Sequence, residues 1–266
     1  MSAASEAFDL ANRTAVVIGA GSDIAAAAAR RLAGAGARIV LGDIDAARLR
    51  RTHEALAAGG AEVAAQRTDV TRREDVETLV QAAVTRFGGV DILLNFAGVI
   101  HDAPVTETRE ADLDRILAVN LKGSFFGCQA AIPRMRARGA GSIVNMASSA
   151  GFAAIPNLSA YAISKAGIGA LTKTLAREVG RDGIRVNAIA PGYIEGGMTT
   201  RNARRPDGSI DTAQVDADRE RARRRNALAI TGTPEDVAEV ALFLAADASR
   251  YVTGQVLHTN GGGYMP

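Results

Sequence analysis

Two side chains that can transfer a proton, Tyr161 and Lys165, lie four residues apart in the segment YAISK. In a helix this spacing puts both on one face, one turn apart. A phenol has a pKa near 10, so acid–base catalysis at neutral pH requires that pKa to fall by about 3, or roughly 4 kcal/mol. An ammonium group about 4 Å away stabilises the phenolate by that order at an effective dielectric constant of about 20. The pair therefore indicates proton transfer, although the same spacing also occurs in ordinary amphipathic helices.

A glycine-bearing turn near the N-terminus is the second candidate site. The run TAVVI at residues 14–18 predicts a strand, and Gly19 and Gly21 connect it to DIAAAAAR, which predicts a helix. Such a turn lets the backbone approach a ligand, and the helix N-terminus attracts an anion through its free N–H groups. A glycine pair alone is a weak signal. Asp43 strengthens it, because a carboxylate about 20 residues after the turn accepts hydrogen bonds from the adenosine ribose of a dinucleotide.

The same carboxylate bears on which dinucleotide binds. Asp43 repels a 2′-phosphate, and neither the turn nor the residues directly after Asp43 include an arginine or lysine to receive one. We therefore expect NAD rather than NADP. Capping of the next helix, the structural alternative for Asp43, is better assigned to Asp45.

Asp23 stands inside the glycine turn. We expect it to cap the helix that follows, where such a residue contributes roughly 0.5–2 kcal/mol relative to alanine. Its charge also lies where a pyrophosphate would bind, and two unit charges about 4–6 Å apart repel by a few kcal/mol at an effective dielectric constant of about 20. The turn is therefore expected to bind the dinucleotide weakly or along an altered path. Ala25 takes the place of a packing glycine, a substitution that dinucleotide-binding turns tolerate.

Short β-rich runs alternate with helical patterns along the chain. The predicted strands are Thr14–Ile18, Arg38–Gly42, Glu62–Arg67, Asp91–Phe96, Ser142–Met146, Arg185–Ile189 and Gln255–Thr259. The predicted helices are Asp23–Ala35, Ala46–Ala58, Arg72–Phe87, Leu113–Arg136, Ala160–Arg181 and Pro234–Ala245. This alternation predicts an α/β fold of Rossmann type: a doubly wound, parallel, seven-stranded sheet with helices on both faces and ligands beyond the carboxyl ends of the strands. With no linker or repeat, we expect one domain over residues 1–266.

Residues 193–233, here called the flap, form a long charged segment before the last predicted helix. Excursions of this length in compact domains are often lids, so we expect an exposed, mobile helical segment over the ligand edge of the sheet. A solvated surface helix without a binding role is the alternative, and the Arg219–Arg225 run is expected to be solvated.

Composition excludes several classes of protein. The 31 basic and 29 acidic residues leave a net charge of +2, which offers no field for nucleic acid or an anionic membrane. Cys128 is the single cysteine, no basic residue lies near it in sequence to activate it, and no residues have metal-ligand spacing. Neither a secretory signal nor an apolar stretch of about 20 residues is present. We expect a cytoplasmic protein with no metal and no membrane or nucleic-acid partner.

A series of motifs carries a family resemblance. They are Asp69-Val70, NFAG at 95–98, VNLKG at 119–123, NMASSAG at 145–151, YAISKAG at 161–167, RVNAIAPGYI at 185–194 and YVTGQVLHTNGG at 251–262. In this order and spacing, the chain from Leu10 to Gly262 resembles the most typical subtype of the short-chain dehydrogenase/reductase family.

The resemblance implies a catalytic tetrad. Tyr161 is the general acid or base, Lys165 lowers its pKa and holds the nicotinamide ribose, and Ser148 hydrogen-bonds the substrate oxygen as oxyanion donors do. Asn120 interrupts its helix and anchors a water that connects Lys165 to solvent. A strand-end hydroxyl and a helix-breaking amide are the structural alternatives for Ser148 and Asn120. His101, in a polar loop, is expected to be a solvated or hydrogen-bonded histidine without a catalytic role.

The resemblance also implies where the cofactor lies. Asp69 and Val70 flank the adenine, and the backbone of Ile194 contacts the nicotinamide carboxamide. The full expected set is Gly19, Gly21, Ser22, Asp23, Ile24, Asp43, Asp69, Val70, Asn95, Ala97, Gly98, Tyr161, Lys165, Pro191, Gly192 and Ile194.

Departures from the family pattern occur at Asp23 and Ala25, at Phe96 for an asparagine, at Gly196 for a threonine that contacts the nicotinamide, and at Asn260 for an aspartate. Phe96 and Asn260 are expected to be tolerated. Asp23 and Gly196 bear on cofactor affinity, and Thr199 or Thr200 is a candidate replacement for the missing hydroxyl.

Together these features predict an NAD-dependent oxidoreductase that interconverts a secondary alcohol and a ketone. An apolar substrate wall is expected from Phe152, Ile155, Leu158, Tyr193 and Met198, alongside Ser148, which favours a hydrophobic or cyclic alcohol. The alternatives are an NADPH-dependent 3-oxoacyl-[acyl-carrier-protein] reductase, which Asp43 disfavours, and a non-catalytic cofactor-sensing or scaffolding relative, which the complete tetrad disfavours. The resemblance further implies a homotetramer joined through the Leu113–Arg136 and Ala160–Arg181 helices and the C-terminal strand.

Overall fold

The computed structural model describes residues 6–205 and 207–266, so residues 1–5 of the expected domain and residue 206 of the expected flap lie outside it. Its seven strands are β1 Thr14–Ile18, β2 Arg38–Asp43, β3 Val63–Arg67, β4 Ile92–Asn95, β5 Gly141–Met146, β6 Ile184–Pro191 and β7 Val256–Thr259. They form one parallel sheet in the order β3-β2-β1-β4-β5-β6-β7. The predicted Rossmann-type sheet is confirmed, and the strand order changes direction between β1 and β4.

Helices cover both faces of the sheet. They are α1 Asp23–Gly34, α2 Ala46–Ala58, α3 Arg73–Phe87, α4 Glu110–Ile116, α5 Gly123–Arg138, α6 Ser159–Val179, α7 Thr212–Arg225 and α8 Pro234–Ala245. Residues of β1 alternate between two apolar cores: Val17 packs with α1, α2 and α8, whereas Val16 packs with α3, α5 and α6. Side chains of a strand alternate in this way because successive residues point to opposite faces.

The first helix is capped by a residue other than the predicted one. Ser22 is the N-cap of α1, and its hydroxyl accepts a hydrogen bond from the Ala25 N–H at 3.4 Å. Asp23 is the first helical residue, so the expectation that it caps α1 is wrong. The physical reason is that the extended backbone needed at an N-cap occurs at Ser22, one residue earlier. The predicted cap of α2 is confirmed, since Asp45 accepts hydrogen bonds from the Ala47 and Arg48 N–H groups.

A single helix was expected over Leu113–Arg136, and the structure divides this region into three parts. Between α4 and α5 the chain forms a π-helical segment, Leu117–Lys122. A π turn inserts one extra residue into a helix and is frequent at functional sites. Asn120 lies in the middle of this segment and is fully buried, so the expected interruption of the helix at Asn120 is present.

Candidate active site

Tyr161 and Lys165 lie in the first turns of α6 and face each other. The Lys165 Nζ is 5.6 Å from the centre of the Tyr161 ring. Both side chains are buried, with 7% of Tyr161 and 2% of Lys165 exposed. The Lys165 ammonium donates a hydrogen bond of 2.7 Å to the carbonyl oxygen of Met146, the last residue of β5. The shared helix face predicted from the YAISK spacing is thus present, and β5 holds the lysine in place.

Burial is the main influence on the ionisation of this pair. Burial raises the pKa of Tyr161, and a hydrogen bond with Ser148 and the charge of Arg201 act against that rise. Burial also lowers the pKa of Lys165 to about 7. Desolvation is the largest cause of both shifts, and a phenol whose pKa is raised keeps its proton at neutral pH.

Ser148 is brought to Tyr161 by a short turn after β5. Its hydroxyl accepts a hydrogen bond of 3.2 Å from the Ala150 N–H, which begins the 3₁₀ turn Ser149–Gly151. A Cβ at Gly151 would lie 2.8 Å from the backbone nitrogen of Ala166. Only glycine lets this turn pack directly on α6, and that contact places the Ser148 hydroxyl beside the phenol.

Asn120 connects three elements beneath the site. Its carboxamide oxygen accepts a hydrogen bond of 2.8 Å from the Val99 N–H, and its nitrogen donates to the Val99 carbonyl at 2.9 Å and to the Ser164 hydroxyl at 3.0 Å. A Cβ at Gly98 would lie 3.4 Å from the Lys165 Nζ and 3.5 Å from the Asn120 oxygen. The four expected catalytic residues therefore belong to one connected cluster at the carboxyl ends of β4 and β5.

The glycine turn lies at the carboxyl end of β1, beside that cluster. Gly19 has a φ of +83°, and a Cβ there would lie 2.5 Å from the Ala97 backbone nitrogen. Asp43 accepts hydrogen bonds of 2.8 Å from the Gly21 N–H and from the Asp45 N–H. The first turn of α1 presents N–H groups that lack intrahelical acceptors. A backbone cradle that side chains would fill, with a carboxylate at its edge, fits a dinucleotide.

Arg48 is a neighbour of this turn that the sequence reasoning missed. Its Cβ would lie 2.8 Å from a Cβ at Gly21, and its guanidinium pairs with Asp45 at 3.3 Å. Arg48 comes five residues after Asp43 in sequence. The helical phase of α2, which brings its first turn back over the glycine turn, is the signal that would have found it.

Of the remaining expected cofactor residues, those after β3 and β6 lie at strand ends or in the loops that follow, whereas one side chain lies in the core. Pro191 ends β6, Gly192 donates a hydrogen bond to the Thr259 carbonyl at 3.0 Å, and Ile194 is buried. Asp69 accepts hydrogen bonds from the Thr71 N–H and hydroxyl groups, and Val70 packs against Gly123. The Asn95 side chain instead points into the core, where it donates to the Asn145 side-chain oxygen and the Ser124 carbonyl.

Polar contacts hold the flap together and join it to the loop after β4. Ile194 pairs with Gly232 in an isolated parallel bridge, and Glu195 holds Arg219 of α7 through two contacts of 3.0 and 3.2 Å. Arg201 pairs with Asp102 and donates to the Met198 carbonyl at 2.6 Å. Arg201 thus reaches across from the flap to the loop after β4.

The side chains of the expected substrate wall differ in exposure. Ile155 and Met198 are exposed, and Leu158 and Tyr193 are half-buried. The Phe152 ring packs 5.1 Å from the His258 ring and against Gly169, two turns further along α6 than Tyr161. These contacts hold the half-buried Phe152 ring at β7, and its place in the wall stays a prediction.

Other candidate groups have structural explanations. Burial raises the pKa of the Cys128 thiol to about 12, so it is not a nucleophile. His101 lies 3.9 Å from Asp112. Within residues 6–205 and 207–266 there is neither a cluster of His, Cys, Asp or Glu that could hold a metal ion nor a helix long and apolar enough to span a membrane.

Comparison with known proteins agrees with this geometry. Residues 19–264 match a family model described as enoyl-(acyl carrier protein) reductase. An uncharacterized oxidoreductase of Mycobacterium bovis is 40% identical over 254 residues, which cover 95% of this chain and 97% of that protein. The 3-oxoacyl-[acyl-carrier-protein] reductase of Thermotoga maritima is 38% identical over 253 residues, covering 95% and 98% of the two chains. The crystal structure of a putative gluconate dehydrogenase from Agrobacterium tumefaciens superposes with a TM-score of 0.88 at 33% identity, over 97% of this chain and 98% of that one.

These matches define an oxidoreductase class that uses nicotinamide dinucleotides. The chain belongs to the short-chain dehydrogenase/reductase family.

Proposed function

We propose that this protein is an NAD-dependent oxidoreductase that interconverts a secondary alcohol and a ketone. The observation that carries the proposal is the buried contact of Tyr161 with Lys165 and Ser148, one strand away from a glycine turn whose edge carries Asp43. Proton transfer and dinucleotide binding are thereby combined at one edge of the sheet, as hydride transfer to a carbonyl requires.

The proton is handled at the Tyr161 hydroxyl. Since burial raises the pKa of Tyr161, the phenol is protonated at neutral pH and donates to the substrate oxygen in the direction of ketone reduction. The Ser148 hydroxyl donates a second hydrogen bond to that oxygen and stabilises its developing charge. The bound dinucleotide supplies or accepts the hydride at the substrate carbon.

Lys165 and Asn120 position the proton donor. Lys165, held by the Met146 carbonyl, carries a positive charge next to the phenol whenever it is protonated and favours release of the tyrosine proton in the oxidation direction. Asn120 holds the Val99 backbone and Ser164, and so sets the distance between the loop after β4 and α6. Both residues also line the side of the site where Gly98 leaves room for a ligand.

NAD is favoured because Asp43 already presents its charge to the glycine turn. Arg48 is the nearest candidate for a 2′-phosphate, but its guanidinium is paired with Asp45. The 3-oxoacyl-[acyl-carrier-protein] reductase alternative requires NADPH and an acidic partner. Three of the five α7 arginines that would meet such a partner are engaged in ion pairs: Arg219 with Asp216 and Glu195, Arg221 with Asp218, and Arg224 with Glu220.

The exposed apolar side chains of the expected substrate wall, Ile155 and Met198, support a hydrophobic or cyclic alcohol as substrate. Outward-facing Phe125 of α5 and Ile163 of α6, 44% and 57% exposed, support the expected homotetramer. Light scattering of wild type and Ile163→Glu tests the assembly, with a lower mass expected for the variant.

Thermal unfolding with NAD, NADH, NADP and NADPH tests the function. We expect the midpoint to rise with the 2′-hydroxyl forms, because a ligand that binds only the folded state stabilises it. Selective stabilisation by NADPH would instead favour the reductase. No response to any of the four would favour the non-catalytic relative.

A further inference from the structure

Two departures from the family pattern, Asp23 and Gly196, touch each other across the ligand edge of the sheet. The Asp23 side chain, at the start of α1, accepts a hydrogen bond of 2.8 Å from the Gly197 N–H in the flap, 174 residues away in sequence. Because Ser22 caps α1, the Asp23 carboxylate is free to make this contact. We call this hydrogen bond the Asp23 contact.

The contact depends on glycine at position 196. A Cβ at Gly196 would lie 2.6 Å from the Asp23 Oδ2, closer than side-chain atoms approach. A Cβ at Gly197 would lie 3.6 Å from the same oxygen, an ordinary van der Waals distance. A side chain at residue 196 would therefore push the carboxylate away from the flap, whereas a methyl group one residue later would not.

The flap presents the Gly197 N–H in a conformation that it holds by itself. The Thr199 hydroxyl accepts a hydrogen bond of 3.2 Å from the Gly196 N–H and lies within 3.0 Å of the Ile194 and Gly196 carbonyl oxygens. This expected replacement hydroxyl is therefore used inside the flap. The Gly197 N–H points outward from the same turn and donates to Asp23.

We propose that Asp23 and Gly196 are a matched pair that holds the flap against the glycine turn before cofactor binds, and that this hold opposes dinucleotide binding. The second part rests on the function proposed above. A phosphate group that approaches the N-terminus of α1 is attracted by the helix but meets the Asp23 charge, which repels it. Asp23 is thus a positioning residue for the flap and sets the cofactor affinity.

Hydrogen exchange of the cofactor-free protein tests the first part. In Asp23→Ala, exchange of the peptide that includes Gly197 should rise about tenfold, the change expected when one hydrogen bond to a charged acceptor is lost. Gly196→Ala should raise it similarly in the wild-type background and no further in Asp23→Ala. The backbone strain that alanine introduces at residue 196 is the same in wild type and in Asp23→Ala, so it cancels in this double-mutant cycle.

Gly197→Ala is the matched control and should leave the exchange of the Asp23 contact region near that of wild type. Thermal unfolding of each variant checks that it folds. Equal effects of Gly196→Ala in both backgrounds, or unchanged exchange in Asp23→Ala, would overturn the matched pair.

Calorimetric titration with NADH, NADPH and ADP tests the second part. Asp23→Ala removes both the hydrogen bond to the Gly197 N–H and the charge, so the Kd for the preferred dinucleotide should fall about tenfold. Asp23→Asn keeps a side-chain oxygen for the Gly197 N–H and removes only the charge, so its Kd should fall less. An unchanged or higher Kd in Asp23→Ala would overturn the proposal that the Asp23 contact opposes dinucleotide binding. If neither wild type nor Asp23→Ala binds NADH or NADPH, the proposed function and this opposition fail together, whereas the exchange result decides the matched pair by itself.

Discussion

The catalytic cluster and the flap edge lie at the same end of the sheet but are held by different forces. The cluster is buried, and its side chains bond to backbone atoms of β5 and of the loop after β4 and to the Ser164 hydroxyl of α6. The flap edge is exposed and depends on ion pairs and single hydrogen bonds, as in the Arg201–Asp102 pair and the Asp23 contact. Buried hydrogen bonds resist opening, and exposed charged contacts contribute little individually. The cluster should therefore set the rate of chemistry, and the edge should set access and affinity.

The strongest test of that division is Tyr161→Phe. Loss of the proton donor should lower kcat by about 10³-fold, while the dinucleotide Kd stays near that of wild type, because the ring still packs beside Lys165. Initial rates with a secondary alcohol that wild type oxidises, together with calorimetric titration of NADH, provide the two readouts. A kcat within tenfold of wild type would remove Tyr161 from the chemistry.

Lys165→Met tests how strongly burial governs the cluster. Burial lowers the pKa of Lys165 from 10.5 to about 7 in the folded protein. Between these pH values the unfolded chain holds the proton and the folded chain does not, so wild-type stability gains about 1.4 kcal/mol per pH unit from this group as pH rises. Below pH 7 both states are protonated and this contribution is constant.

Urea unfolding of wild type and Lys165→Met at intervals from pH 7 to 10 measures that gain. The stability of wild type should rise relative to the variant, since other titrating groups cancel in the difference. Parallel pH dependences for the two proteins would show that Lys165 is not desolvated.

Asp43→Asn sharpens the comparison at the nucleotide end. With the charge removed, the ratio of kcat/KM for NAD to that for NADP should fall by about tenfold, because the repulsion of a 2′-phosphate is lost. Glu54→Gln is the matched control, since it removes an exposed carboxylate of α2 that pairs with Arg50 and not with Arg48 or the glycine turn. An unchanged ratio in Asp43→Asn would mean that Asp43 does not choose the dinucleotide.

We expect the smallest effect for Arg201→Gln, which removes a flap charge that acts on Tyr161 of the catalytic cluster. The charge of Arg201 lowers the pKa of Tyr161, so its removal should raise that pKa. Alcohol oxidation, which increases as the tyrosine loses its proton, should then begin to rise at a higher pH with a similar plateau. Arg204→Gln, a neighbouring exposed arginine, is the control. A superimposable pH profile for Arg201→Gln would separate the edge from the cluster.

The sequence predicts the catalytic cluster more completely than it predicts the flap edge. The strands were placed to within a few residues, because apolar runs buried on both sides dominate their energetics. The cluster followed from motifs, since neighbouring spacing on α6 and the turn after β5 determine where Tyr161 and Ser148 point. By contrast, the contacts of Asp23 and Arg201 join residues about 174 and 99 positions apart, and no local pattern encodes them.

Some errors have the same origin. Assignment of the cap of α1 to Asp23 followed from residue type, but Ser22 is equally suited and has the extended backbone. The pKa values have the same limit: burial, which depends on the whole surrounding structure, is the largest influence on the pKa of both Tyr161 and Lys165, and the spacing of the two residues does not reveal it. Such quantities become visible only when all packing neighbours are present.

The π-helical segment at Leu117–Lys122 has a consequence for how this chain can vary in length. An extra residue in one turn rotates everything after it by about 100° relative to a continuous α-helix. Deletion of one residue there would straighten the helix and swing the Asn120 amide off Val99 and Ser164, while α5 would present a different face to the sheet. We therefore expect insertions and deletions to be tolerated in the loops around this helix but not within Leu117–Lys122.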